Sequence, residues 1–102
     1  MNKPDQGNFA DLVRSILLHD WDPIGIASFD GAVDEYDSYV PAICELVTNV
    51  GSVVAVEQFL YNLATLEMEV DYPEIRTKSK FAAKKIIQAA LRLELTAKRE
   101  AE

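Results

Sequence analysis

The chain has 102 residues, 49% of them hydrophobic, a net charge of −7, one cysteine and one histidine, which suits one domain built round one core. Its longest uninterrupted apolar stretch is Val53–Val56, too short for a secretory signal or a membrane span, so a cytoplasmic protein with no membrane association is expected. Cys44 and His19, each alone of its kind, exclude an internal disulfide and a thiolate–imidazole metal cage within one chain.

Residues 1–7, with Pro4 and Gly7, read as a loose tail. Asn8 has the side chain of an N-cap, and Asp11 suits the positive end of the helix dipole. Phe9, Leu12, Val13, Ile16 and Leu17 then fall at spacings of three and four, which predicts a first helix running to about His19. The histidine sits in the last turn, where a partial positive charge is favourable, and no nucleophile accompanies it. Asp20–Val33 is the one long irregular segment. Within it, Asp22-Pro23 predicts an N-cap with proline at the first helical position, and Gly25 and Asp30-Gly31 supply turn chemistry. Trp21, Ile24, Ile26 and Phe29 are too apolar for a free loop, so the segment is expected to be ordered and anchored by Trp21.

The helical period returns at Tyr36, Tyr39, Val40, Ile43, Leu46, Val47 and Val50. Pro41 cannot sit in a helix interior without loss of a hydrogen bond. Either a short turn over 34–39 precedes a helix starting near Ser38, or one helix kinks at Pro41; the first arrangement is preferred. Gly51 closes this helix and Ser52 opens the next, so the two should lie antiparallel. A third helix follows over about Val53–Met68, with Val56, Phe59, Leu60, Leu63, Leu66 and Met68 as its apolar side. Asp71 and Glu74 have capping-box spacing. They introduce a last helix to about Lys98, with Ile75, Ala82, Ile86, Ala89, Ala90 and Leu93 on one side and Phe81 and Leu91 at its margins. The fold class is therefore all-α, a bundle of four main helices with an ordered loop after the first.

Charge is segregated along the chain. Residues 15–75 contain twelve carboxylates and no Lys or Arg, whereas residues 76–102 are net +5. Such a field disfavours nucleic acid and attracts basic partners; the basic last helix neutralising its own acidic neighbours is the alternative.

No stretch spells out a reaction. Asp20-x-Asp22 followed by Gly25 imitates the opening of a calcium loop, but Ile24 and Gly31 stand where two of the required oxygen ligands belong. No catalytic residue, metal ligand or cofactor is assigned. A small divalent-metal protein or enzyme using the loop carboxylates remains the alternative class. Cys44 falls beside Val40, Ile43 and Val47 in an acidic segment, where a small hydrophobe is expected rather than a reactive thiolate. The best-supported reading is protein binding. Asp20, Asp22, Asp34, Glu35 and Asp37 would form a charged surface that steers a basic partner, and Tyr36 or Tyr39 would anchor it. Trp21 and the tyrosines could instead be core residues whose polar tips bond nearby carboxylates or backbone. Self-association of the acidic centre with the basic last helix is a further route, so a homo-oligomer stays open.

Leu18-His19-Asp20-Trp21-Asp22-Pro23-Ile24-Gly25 and Asp34-Glu35-Tyr36-Asp37-Ser38-Tyr39-Val40-Pro41 resemble a family of small bacterial all-helical proteins of unknown function. Some of these look similar to antitoxin or immunity-type partners. The resemblance covers about residues 12–50 and implies a helical fold and no catalytic residues. Joined to the charge layout, it leads to an expected non-catalytic acidic interaction module, an immunity-like inhibitor of a basic effector.

Overall fold

Phe9, Val13, Leu17 and Trp21 recur every four residues, and a helix of about 3.6 residues per turn carries such a stripe roughly 40° further round its axis at each step. In the computed structural model, which describes residues 5–26 and 35–93, that drift is met by a widened last turn. Helix α1 (Asp5–Ile16) runs straight into a π-turn, Leu17–Trp21, closed by the Asp22 amide donating to the Leu17 carbonyl at 2.8 Å. All four residues of the stripe are buried. Leu12, expected on the buried face, is instead exposed, because the stripe that packs is the four-residue one. Helix α1 also begins before Asn8, so the expected cap lies inside the helix.

The same device recurs in the third helix. Val56, Leu60 and Ala64 are buried at four-residue steps, and α3 (Val53–Asn62) passes into a second π-turn, Leu63–Glu67. The Met68 amide donates to Leu63 and the Val70 amide to Ala64, at 3.0 and 2.8 Å, with Glu69 in the left-handed region at φ 58°. The changed phase brings Ala64 inward and turns Leu66, expected on the apolar side, outward to 72% exposure.

Between these helices, a single 3₁₀ turn over Asp37–Tyr39 leads into α2 (Val40–Asn49), with Pro41 in its first turn. Proline there removes no intrahelical bond, so the helix starts rather than kinks. Gly51, at φ 68°, makes the left-handed reversal that glycine alone adopts without strain. The Ser52 hydroxyl then accepts the Ala55 amide at 3.2 Å and caps α3, as expected.

The last helix, α4 (Pro73–Arg92), is capped by Tyr72 without a side-chain bond. This corrects the expected Asp71 cap. A residue before proline is pushed out of the helical region, and Tyr72 is extended at φ −127°, ψ 162°, so the cap moves one residue on and Asp71 is left outside. Among the described residues there are four α-helices and no strand, and the fold class is all-α as expected. Helix α4 packs most extensively against α3, and also against α1 and its π-turn, while α2 rests on α1 and α3. The alanines Ala82, Ala83, Ala89 and Ala90 of α4 are all buried, which lets neighbouring helices approach closely. No described helix is long and apolar enough to cross a membrane.

Candidate interaction surface

Trp21 is fully buried, and an indole N–H removed from water needs an acceptor. It donates to Ser79 Oγ at 3.1 Å, and Ser79 is the one buried polar side chain of the described core. The bond ties the end of the first helix to the middle of α4. On its other side the Trp21 ring meets Tyr36, with centroids 5.5 Å apart and planes tilted by 57°, an edge-biased contact favoured by the ring quadrupoles.

The start of the loop is organised by Asp22. At φ 33°, ψ 62°, it ends the preceding helix instead of capping a new one, a conformation that Asp tolerates better than most residues. The expected helical turn at Pro23 is therefore a reverse turn, with the Gly25 amide donating to the Asp22 carbonyl at 3.2 Å. The Asp22 carboxylate accepts the Ile26 amide at 2.9 Å and the Tyr36 hydroxyl at 2.8 Å through one oxygen, Oδ1. Burial, and then the bond to Asp22, push the Tyr36 phenol well above its ordinary pKa. The Tyr72 hydroxyl donates to the Pro23 carbonyl at 3.0 Å, and Lys78 Nζ donates to the Tyr72 oxygen at 3.3 Å. Residues 21–26 are thus bonded to 36, 72 and 79, on three other parts of the chain.

The residues expected to form an acidic docking surface have different surroundings. Tyr36 is buried at 2% exposure and Tyr39 is half-buried against the core. Asp22 bonds within the loop. Asp20 accepts from Lys85 Nζ at 3.3 Å. Asp37 accepts from Arg14 Nε at 2.8 Å, and the same guanidinium reaches Asp11 at 2.6 Å. The bond to Asp37, foremost, holds Arg14 above its ordinary pKa. Glu35 is exposed. Asp34 lies outside the described residues, as do Phe29 and Asp30-Gly31.

A second surface is formed by the outer sides of α1, α2 and α3. A groove of about 450 Å³ between α1 and α2 is lined by Phe9, Ala10, Val40, Pro41 and Cys44, with Glu45 and Asn49 on its rim. Glu45 and Asn49 also border a concavity of about 290 Å³ between α2 and α3, which contains Leu46, Val50 and Phe59. Phe59 in turn borders one of about 260 Å³, beside Leu63, Leu66 and Glu67. The three adjoin as one corrugated, mainly apolar face. Among the described residues, its only charged lining residues are Glu45 and Glu67.

Compared with family models, curated proteins and solved structures, the chain has no significant match.

Among the described residues of the two regions, none places a nucleophile beside a base. Cys44 is half-buried in the first groove, and burial pushes its thiol up, away from a reactive thiolate at neutral pH. The exposed His19 ring lies 3.0 Å from the Ser15 carbonyl, one turn back. Among the described residues no three His, Cys, Asp or Glu side chains are grouped as a metal would need. The corrugated face is hidden in the sequence because its residues fit the buried sides of helices equally well. Its signal was the excess of apolar residues over those that a four-residue stripe can bury: in α3 and its π-turn, Phe59, Leu63 and Leu66 lie beside Val56, Leu60 and Ala64.

Proposed function

We propose that the protein is a non-catalytic acidic interaction module whose partner is a basic protein, in the manner of an immunity-like inhibitor. The observation that carries this reading is the absence of any Lys or Arg from residues 15–75, which hold twelve carboxylates. The ion pairs support it. Arg14, Arg76 and Lys85 engage Asp37, Glu57 and Asp20, and among the described residues Glu35, Glu45, Glu67, Glu69, Asp71 and Glu74 form no ion pair while all six are exposed. Unneutralised carboxylates of one sign steer a cationic partner and raise its association rate.

Within the expected site, Glu35 offers a free charge and Tyr39 a half-exposed ring. Asp20 and Asp37 join by trading Lys85 and Arg14 for cations of the partner, an exchange that weak surface pairs permit. Asp22 and Tyr36 keep the loop in shape. The resemblance to small bacterial helical proteins, some of them similar to antitoxin or immunity partners, agrees with this role. The test is affinity capture from the native cell with the intact chain as bait. A basic protein should be recovered and released progressively by salt between about 0.05 and 0.5 M, as screening of the attraction requires. Recovery of no basic protein, together with a growth phenotype in cells lacking any such partner, overturns the proposal.

A further inference from the structure

We infer that the corrugated face of α1, α2 and α3 is the docking surface, and that its occupant is a basic amphipathic helix of a partner protein. This rests on the reading of the chain as a module for basic proteins, and it moves the contact from Asp20, Glu35, Asp37 and Tyr39 to the residues that line the grooves. Three observations carry it. The first is shape: concavities of about 450 and 290 Å³ lie between α1 and α2 and between α2 and α3, a third of about 260 Å³ on α3 and its π-turn shares Phe59 with the second, and grooves between helices receive the side-chain ridges of another helix. The second is unburied apolar surface. Leu66 is 72% and Val50 43% exposed, with Leu46, Phe59 and Leu63 only partly covered, so an apolar ridge has several side chains to desolvate.

The third is charge, which selects the occupant. Among the described residues that line the three concavities, Glu45 and Glu67 are the only ionisable side chains besides the half-buried Cys44, and neither pairs with a cation among the described residues. A helix with lysines flanking its apolar ridge satisfies both carboxylates. A second copy docking by the same face sets Glu45 and Glu67 of one molecule against the same carboxylates of the other, which opposes two-fold pairing. The outer side of α4, with Phe81 and Leu91 exposed among Lys80, Lys84 and Arg92, has the sign but belongs to the chain itself. Docking there would be head-to-tail, and the experiment below distinguishes it.

The probe is a helical peptide of about 18 leucines and lysines with all leucines on one face, with a leucine–glutamate peptide as control, titrated into the isotopically labelled full chain and followed by backbone amide shifts. The leucine–lysine peptide should shift Cys44, Leu46, Phe59 and Leu66, and the control should shift none of them. Glu45→Lys with Glu67→Lys, and separately Leu66→Ser, should each weaken binding at least tenfold. All three positions are exposed, so the variants keep the fold, as their own amide spectra will show. No binding of the leucine–lysine peptide, or equal binding by wild type and variants, overturns the inference. Shifts confined to Asp20–Ile26 and Glu35–Tyr39 also overturn it but leave the acidic-module reading standing. Salt-sensitive dimers in sedimentation that Leu66→Ser abolishes would assign the face to a second copy and overturn the partner helix. Capture of a basic native partner that both variants bind unchanged would retain the module and reject this surface.

Discussion

Replacement of Tyr36 by phenylalanine isolates the bond that closes the loop. The ring stays against Trp21, 5.5 Å between centroids, so the change removes only the hydroxyl that donates to Asp22 Oδ1 at 2.8 Å and lies 3.5 Å from the Ile24 amide. A hydrogen bond to a charged acceptor is worth about 1.5–3 kcal/mol. Here the lower end applies, because Asp22 is only half-buried and retains the Ile26 amide at 2.9 Å, so water can replace the lost donor. A loss of about 1.5 kcal/mol lowers the melting temperature of a domain this size by roughly 6–12 °C. The pH dependence supplies a second reading. Burial and the Asp22 bond raise the folded-state pKa of Tyr36 above its unfolded value, which is about 10. The unfolded chain therefore ionises first, and the contribution of Tyr36 is fully present below pH ~10 and lost as the pH rises through and beyond that value. Urea unfolding of wild type and Tyr36→Phe at intervals from pH 7 to 11 should give a gap that is constant to about pH 9 and then narrows. A gap under about 0.5 kcal/mol at pH 7, or one that stays level to pH 11, refutes the assignment of this bond as the latch.

Ser79→Ala leaves the buried Trp21 N–H without its acceptor and should cost about 1–3 kcal/mol, read as a lower urea midpoint with unchanged slope. Gly25→Ala tests backbone conformation alone, since φ is +67° and an added Cβ meets nothing within 4 Å; a loss of about 1–2 kcal/mol is expected, and no loss on thermal melting would contradict the positive φ. Lys85→Met removes the pair with Asp20 across an exposed boundary and should change stability by less than about 1 kcal/mol, an effect that vanishes in high salt. Alkylation of Cys44 should be slow in the folded chain at neutral pH and accelerate in denaturant, because burial raises the thiol pKa.

The helix order, the Gly51–Ser52 junction and the start of α2 near Pro41 were legible because each is signalled by a local steric rule. Phase was not. Reading Phe9, Leu12, Val13, Ile16 and Leu17 as one face assumes a regular helix, whereas the packed stripe is Phe9, Val13, Leu17 and Trp21, whose last step is taken by the π-turn Leu17–Trp21. The same assumption put Leu66 inside. Asp71 fails as the cap for a different reason: capping-box spacing takes no account of the restriction that Pro73 imposes on Tyr72. The loop carboxylates could be located but not oriented, since whether Asp22 faces solvent depends on a tyrosine fourteen residues away.

The charge segregation has a structural use distinct from the proposed one, and the two divide by place. The pairs that join different elements, Arg14 with Asp37, Arg76 with Glu57 and Lys85 with Asp20, each link a cation from outside residues 15–75 to a carboxylate within that interval. Arg76 also lies 3.9 Å above the Tyr61 ring, a cation–π contact that adds to its pair. Arg76 and Lys85 of α4 thus neutralise Glu57 and Asp20. Glu45, with Leu46 and Phe59, borders the concavity between α2 and α3, and Glu67, with Phe59 and Leu66, borders the one beyond it. None of the ion pairs among the described residues brings a cation to Glu45 or Glu67. Internal neutralisation does not account for these two carboxylates, each of which borders an uncovered apolar concavity. Their coincidence is what a basic amphipathic partner would exploit, and Glu45→Lys with Glu67→Lys is the substitution that separates the two uses, because it touches none of the internal pairs.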